Sequence, residues 1–93
     1  MEGGSVISQE VVARYAGDAA CEVDGVTRVV AGVRRGIRVE DGTIEIHLAL
    51  RFGVSIPRVG AEVQANVAAY LEQMPDERPR AVNVVVDEVD VLP

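Results

Sequence analysis

The chain has 93 residues, which is enough for one compact domain and too few for two. Its net charge of −6 and its aromatic content of 3% argue against generic binding of a phosphate backbone and against an aromatic platform for single-stranded nucleic acid. One cysteine excludes an internal disulfide and a cysteine-based zinc site, and no apolar run is long enough to span a membrane.

The expected domain organisation is simple. Residues 1–5 are glycine-rich and are expected to be a flexible start, and residues 6–93 are expected to form a single α+β domain. The chain lacks the basic-then-apolar start of a signal peptide, which favours a cytoplasmic location. Any position at the inner face of the cell membrane would therefore depend on a protein partner, without direct insertion into the membrane.

The first predicted element is a helix that begins near Ser8. Ser8 is a favourable N-cap, and Glu10 places a negative charge in the first turn, which suits the helix dipole. Apolar residues follow at helical spacing, and Gly25 is predicted to end the helix. The predicted buried stripe consists of Val11, Val12, Tyr15, Ala16, Ala19 and Val23.

Three strands are predicted next, and two of them form a hairpin. Residues 26–31 have the composition of a strand, and residues 32–36 are predicted to be a turn or bulged connection. Asp41 and Gly42 then separate two alternating runs, which is the pattern of a two-residue type I′ turn. This turn sets Arg38 opposite Glu45 on one face and pairs aliphatic residues on the other. On the long strand after the turn, the expected inward side chains are Ile44, Ile46, Leu48, Leu50 and Phe52, and the outward ones are Glu45, His47, Ala49 and Arg51.

A second helix and a last strand complete the pattern. Ser55 is predicted to cap the helix, with Pro57 tolerated in its first turn. A polar loop is predicted at residues 74–79, followed by a strand at residues 81–92 whose alternation shifts near Asp87, which indicates a β-bulge. The buried stripe of the second helix is predicted to comprise Ile56, Val59, Val63, Val67, Tyr70, Leu71 and Met74.

The predicted element order is αβββαβ. The segment between the third and fourth strands is long enough for a right-handed parallel crossover. With only two helices, both are expected on one face of a mixed, three- to four-stranded sheet, which gives a two-layer α+β domain. The other face is then left to solvent or to a partner, and it would carry Arg38, Glu45, His47 and Arg51.

The candidate reactive groups do not form a recognisable catalytic or metal site. His47 is the single histidine, is expected to be an ordinary exposed or interface histidine, and has no nucleophile or orienting partner at a defined spacing. Cys21 is predicted to be an inert thiol, because the neighbouring Glu22 and Asp24 raise its pKa. The acidic clusters of the C-terminal third lack a calcium-loop pattern. We therefore predict no catalytic residue, no cofactor and no metal.

Charge is segregated along the chain. Residues 28–58 carry a net charge of +3, whereas residues 1–27 carry −4 and residues 59–93 carry −5. This distribution would suit head-to-tail self-association, in which an arginine-bearing face meets the acids of another copy, and the alternative is scattered surface charge without a partner. The predicted interaction surface consists of Arg28, Arg34, Arg35, Arg38, Glu45, His47 and Arg51.

A small RNA-binding domain is the alternative interpretation. The segment from Gly32 to Gly36 places two arginines between glycines, but it misses the GXXG spacing of a KH loop by one residue. Binding through the arginine-rich hairpin face would weaken steeply with salt. The net negative charge makes nucleic acid the less favoured partner.

The order and spacing of these residues resemble the alkaline-shock-protein family of bacterial envelope stress response proteins. The resemblance covers residues 4–89, and it rests on the combination of positions rather than on one motif. The matching positions are Val6-Ile7-Ser8, Glu10-Val11-Val12, Tyr15-Ala16, Ala19-Ala20, Glu22-Val23, Gly25-Val26, Gly42, Ile44, Leu48, Leu50, Phe52-Gly53, Ile56-Pro57, Val59, Val63-Gln64, Val67, Val82-Asn83-Val84 and Val86.

The resemblance implies a small, non-enzymatic, cytoplasmic bacterial protein of stress response and cell-envelope homeostasis. It also implies homo-oligomers and recruitment to the membrane by a small membrane-anchored partner protein. The family has no established catalytic residues to carry over to this chain, and tail-mediated functions of longer members do not transfer to it.

Overall fold

The computed structural model describes residues 9–73 and 80–91 of the chain. The order αβββαβ is confirmed in these residues. The flexible start, the N-cap Ser8 and the polar loop at residues 74–79 lie outside the described residues, so these expectations stay predictions. The elements are α1 (Gln9–Cys21), β1 (Val26–Val29), β2 (Ile37–Glu40), β3 (Thr43–Arg51), α2 (Ile56–Glu72) and β4 (Ala81–Asp90).

The hairpin between β2 and β3 has the predicted turn and register. Asp41 and Gly42 both have positive φ, at 49° and 80°. Arg38 pairs with Glu45, and the aliphatic Val39 pairs with Ile44 on the opposite face. The turn requires a positive φ at two consecutive positions, which aspartate tolerates and glycine favours.

β1 and β2 lie in succession along the same edge of β3. β1 pairs with the second half of β3 and β2 with the first half, both antiparallel. The backbone of His47 joins them, because its N–H donates to the carbonyl of Gly36 and its carbonyl accepts from the N–H of Val30, each at 2.9 Å. Residues 31–35 therefore loop out of what is otherwise one interrupted edge strand.

β4 lies on the other edge of β3 and runs parallel to it, as the long crossover through α2 predicted. The register shifts between Leu48 and Ala49, where Val86 and Glu88 are the partners and Asp87 is the extra residue. The predicted bulge is confirmed at this position. In such a bulge two consecutive side chains point to the same side of the sheet, which here places Asp87 and Glu88 on one face.

Both helices pack on one face of this mixed sheet. The core joins Val12 and Ala16 of α1 and Val63 and Val67 of α2 to the inward side chains of β3. Aliphatic side chains of β3 such as Ile46 are fully buried there. The two-layer α+β arrangement is therefore confirmed, and α1 and α2 leave the opposite face of the sheet uncovered.

The helix ends and stripes differ from the predictions in a few places. α2 begins as predicted, since the side chain of Ser55 accepts a hydrogen bond from the N–H of Arg58 at 3.4 Å. α1 ends at Cys21, whereas Gly25 was predicted to end it; Gly25 instead has φ of 103° in the turn before β1, packed against Val59. Three residues of the predicted stripes are exposed, namely Val11, Tyr15 and Ile56, and so is Phe52, which was expected to point inward.

Candidate interaction surface

The face of the sheet opposite the helices, called the outer face below, carries an organised set of charged residues. β3 directs Glu45 and His47 to it, and the bulge in β4 adds Asp87 and Glu88. Arg28 reaches the same face from β1. The outer face therefore brings together side chains that are as much as 62 residues apart in sequence.

His47 lies at the centre of the outer face and is buried. Its residue exposure is 9%, although no helix covers it. Its Nδ1 lies 2.7 Å from Oδ2 of Asp87, and its Nε2 lies 3.6 Å from Oε1 of Glu45. Nε2 is buried without a hydrogen-bond partner among the described residues. The expectation that His47 is exposed is wrong, because the bulge sets the Asp87 carboxylate beside its imidazole and neighbouring side chains cover the ring.

Arg28 and Arg35 are tied to the acids of β4. Arg28 pairs with Glu88 and, at 3.2 Å, with Asp90. Arg35, from the loop between β1 and β2, lies 3.7 Å from Glu88. The Thr27 hydroxyl lies 2.6 Å from Oδ2 of Asp90. This hydroxyl and the Arg28 guanidinium lower the pKa of Asp90 below its usual value.

Arg38 and Arg51 are also paired within the chain. Arg38 lies 3.6 Å from Glu45, its predicted cross-strand neighbour, and 3.9 Å from Glu40. Arg51 lies 3.5 Å from Asp24, which precedes β1. Arg38, Glu40 and Glu45 line a shallow groove of 370 Å³ beside the hairpin turn.

Arg34 belongs to the predicted interaction surface but lies apart from the other residues of that surface. It has φ of 65° in the loop between β1 and β2 and makes no ion pair with another described residue. The neighbouring Val33 is 91% exposed. Arg34 therefore projects with Val33 from the edge of the sheet rather than joining the paired side chains of the outer face.

The outer face is not a basic surface, because acids of β4 lie there beside the predicted arginines. Four arginines lie among five carboxylates there, which leaves a net charge of −1 when His47 is left aside. Sequence reasoning missed the contribution of β4, although the predicted bulge was a signal for it. The residues counted are Arg28, Arg35, Arg38, Arg51, Glu40, Glu45, Asp87, Glu88 and Asp90.

Cys21 and the acidic residues do not form a reactive or metal site in the described part of the chain. Cys21 is exposed, and its pKa is raised, first by partial burial of the thiol and then by the charge of Asp18. The predicted direction is confirmed, but the sequence argument named Glu22 and Asp24 as the cause. Across residues 9–73 and 80–91, no group of three histidine, cysteine or acidic side chains is arranged to hold a metal ion.

The fold has relatives of known structure. A copper form of a MamM CTD variant superposes with a TM-score of 0.65 at 18% identity, covering 89% of this chain and 100% of that one. A nickel form of another MamM CTD variant has a TM-score of 0.64 at 18% identity, covering 88% of this chain and 100% of that one. At this level of identity the likeness concerns the fold alone, and it defines a small α+β module.

Two sequence comparisons place the module in a family. Residues 31–91 match the model of the alkaline shock protein 23 family, which is described as having a cell envelope-related function. The uncharacterized protein YqhY of Bacillus subtilis strain 168 is 36% identical over 95 residues, covering 84% of this chain and 70% of that protein. The chain belongs to the alkaline shock protein 23 family, and the resemblance noted from its residues is confirmed. Within the described residues, no helix is both long and apolar enough to cross a membrane.

Proposed function

We propose that this protein is a non-enzymatic interaction module of bacterial cell-envelope homeostasis. In this proposal it associates with further copies of itself, and a small membrane-anchored protein recruits it to the inner face of the cell membrane. The observation that carries the proposal is that α1 and α2 cover one face of the sheet, while the outer face is a flat array of ion pairs open to another protein. The predicted interaction residues, from Arg28 to Arg51, form or flank that face.

The ion pairs of the outer face are suited to exchange for contacts with another molecule. The arginine side chains of the outer face, Arg51 included, are between 43% and 48% exposed. Exposed ion pairs contribute only about 0–1 kcal/mol each, so that breaking one to make an intermolecular pair has a small cost. A surface of alternating charge also selects a partner of matching pattern. A second copy of the chain carries positive and negative charges in the same pattern and therefore meets this requirement.

The arrangement of His47 supports a role without catalysis. A general base needs a nitrogen within reach of a substrate proton. Nε2 of His47 is buried beneath its neighbours, and Nδ1 is held by Asp87. The shallow groove beside Glu45 is lined by the paired charges of Arg38, Glu40 and Glu45 and does not include His47. We infer that this histidine orders the surface rather than reacting at it.

Light scattering over a salt series tests the self-association. We expect assemblies at low ionic strength that shrink as salt screens the outer face. Arg38→Glu together with Arg51→Glu should weaken assembly without unfolding the domain. Arg58→Glu is the matched control, since Arg58 is 75% exposed on α2, on the other side of the molecule. A strictly monomeric wild type at low salt and high concentration would contradict the proposal.

Recruitment to the membrane is tested separately. A tagged copy of the chain should retain a membrane-anchored protein from a native lysate at low salt, and the double arginine variant should retain less of it. Protein-free lipid vesicles should bind neither the wild-type chain nor the double arginine variant, because recruitment is assigned to a protein. If the wild-type chain and the double arginine variant both bound to protein-free vesicles, lipid alone would be sufficient. This would contradict recruitment by a protein partner.

RNA binding has less support than protein binding. Each arginine that lies on the outer face has a carboxylate within 4 Å, and these acids repel a phosphate backbone. Among the arginines of the predicted interaction surface, Arg34 alone makes no ion pair with another described residue. A mobility shift of an RNA pool at low salt, lost in Arg34→Ala, would revive that alternative.

A further inference from the structure

The second edge of β4 is open. β4 pairs with β3 along its whole length, and this uses one of its two edges. No other strand among the described residues pairs with the remaining edge. An unpaired edge presents a row of main-chain donors and acceptors, which is a template for a strand from another chain.

A hydrogen bond from α2 identifies the groups on this open edge. Nε2 of Gln64 donates to the carbonyl of Val82 at 2.8 Å, so the main chain of Val82 points away from β3. Main-chain groups alternate in direction from one residue to the next along a strand. Val84 and Val86 therefore also face outward, and the bulge at Asp87 ends this regular run. We call Val82, Val84 and Val86 the free edge of β4.

The free edge lacks the usual protection against pairing. Residues 81–86 contain no charged residue and no proline, which are the common means of blocking an edge. α2 contacts this edge at Val82 through the Gln64 hydrogen bond, but it leaves two grooves of 260 and 380 Å³ between itself and β4. Small side chains of α2, such as Ala61 and Ala68, line these grooves opposite the valines. Side chains of an added strand would have room there.

We propose that the free edge of β4 pairs with the free edge of β4 in a second copy of this chain, antiparallel and around a two-fold axis at Val84. In this register Val82 lies opposite Val86 of the second copy. A two-fold axis uses the same surface on both copies, and this closes the assembly as a dimer. The inference rests on the proposed self-association and adds the free edge of β4 to the outer face as a second surface for it.

The charges at the two ends of the free edge favour a second copy as the occupant. Arg80 precedes the uncharged segment and makes no ion pair with another described residue, whereas Asp87 and Glu88 follow it. Antiparallel pairing brings the basic end of each copy next to the acidic end of the other. Parallel pairing would instead bring like charges together, and this is unfavourable.

Hydrogen exchange on the wild-type protein tests the edge without any substitution. In about 1 M NaCl the screening length falls to about 3 Å, which weakens contacts between outer faces and leaves main-chain pairing intact. We expect a dimer to persist at high protein concentration under these conditions. The amides of the free edge, at Val82, Val84 and Val86, should exchange more slowly in the dimer than in dilute monomer, by at least about tenfold.

A pair of lysines provides the second test. Asn83 and Val85 direct their side chains to the outer face, away from the helix-side core, so that lysine there is compatible with folding. Asn83→Lys together with Val85→Lys places lysines opposite each other across the two-fold axis and should raise the dimer dissociation constant at least about tenfold. Ala31→Lys together with Val33→Lys adds the same charges to the exposed loop and should leave dimerisation unchanged.

The outcomes separate the two proposals. A wild-type dimer without slowed exchange at the free edge, or one that the edge lysines leave intact, would overturn the edge pairing and leave self-association standing. A wild type that is monomeric at every concentration and salt would overturn both. Protection of the same amides only by a different protein would show another occupant and would also overturn pairing between copies.

Discussion

His47 and Asp87 form the contact on which the outer face is organised. Nδ1 of the imidazole lies 2.7 Å from Oδ2 of the carboxylate, and forty residues separate the two in sequence. Asp87 reaches this position because it is the extra residue of the bulge in β4. The side chain of His47 is 11% exposed and that of Asp87 is 17% exposed, so that the pair lies largely out of solvent.

The first prediction concerns the stability that this contact provides. His47→Ala should lower the free energy of unfolding by about 1–3 kcal/mol, because it leaves the half-buried Asp87 carboxylate without a partner. Asp87→Asn, which keeps the shape and an acceptor oxygen, should cost less. Urea unfolding of both single variants and the double variant measures the coupling between them. Additive effects would show that the two residues do not interact.

The second prediction concerns the stability of the protein at acidic pH. The pKa of Asp90 is lower in the folded protein than in the unfolded chain, so the ionised carboxylate stabilises the fold. This contribution is fully present above the pKa of the unfolded chain, about 4, and is lost as the pH falls below that value and through the pKa of the folded protein. The difference in denaturation midpoint between wild type and Asp90→Asn should therefore be larger at pH 7 than at pH 3. Asp24→Asn is the control, since that side chain is 86% exposed. A difference that does not change with pH would contradict the assignment.

The third prediction concerns the Cys21 thiol. Because its pKa is raised by burial and by Asp18, little thiolate forms at neutral pH, and alkylation should be slower than that of a free model thiol. Asp18→Asn removes the charge and should speed the reaction at pH 7. The rate with iodoacetamide, followed by mass spectrometry, measures this. If the variant reacts more slowly than wild type, the stated cause is wrong.

The fourth prediction compares two glycines. Gly42→Ala should destabilise the protein by about 1 kcal/mol or more, because φ is 80° and the new methyl group would lie 3.3 Å from Cγ of Arg80. Gly60→Ala should stabilise it by about 0.5–1 kcal/mol, since Gly60 lies in α2 with open space around it. Thermal unfolding of the two variants checks both signs. The same sign at both positions would contradict the account of the turn.

Local chemistry made much of the fold predictable. Asp41 and Gly42 specify their turn by backbone conformation alone, and the turn then fixes every pair of the hairpin. The slip in alternation at Asp87 likewise indicated a bulge, and the structure has it there. The side of the sheet that the helices cover followed from the count of helices and the pattern of β3.

The composition of the outer face was harder to predict, because it depends on which strands become neighbours. Glu88 and Asp90 appeared in the sequence as solvated acids of a separate segment, yet parallel pairing of β4 with β3 sets them among the arginines. The burial of His47 has the same origin. Long-range pairing of this kind leaves no periodic signal within any one segment.

The central claim is that the outer face docks other protein molecules. The most direct measurement is a set of backbone amide NMR spectra of the wild-type protein over a dilution series, once at low and once at high salt. We expect salt-sensitive shifts at outer-face positions such as Arg38, Glu45 and Glu88, with Ala69 and Glu72 of α2 unchanged. Spectra that do not vary with concentration at low salt, or that vary only on the helices, would contradict it.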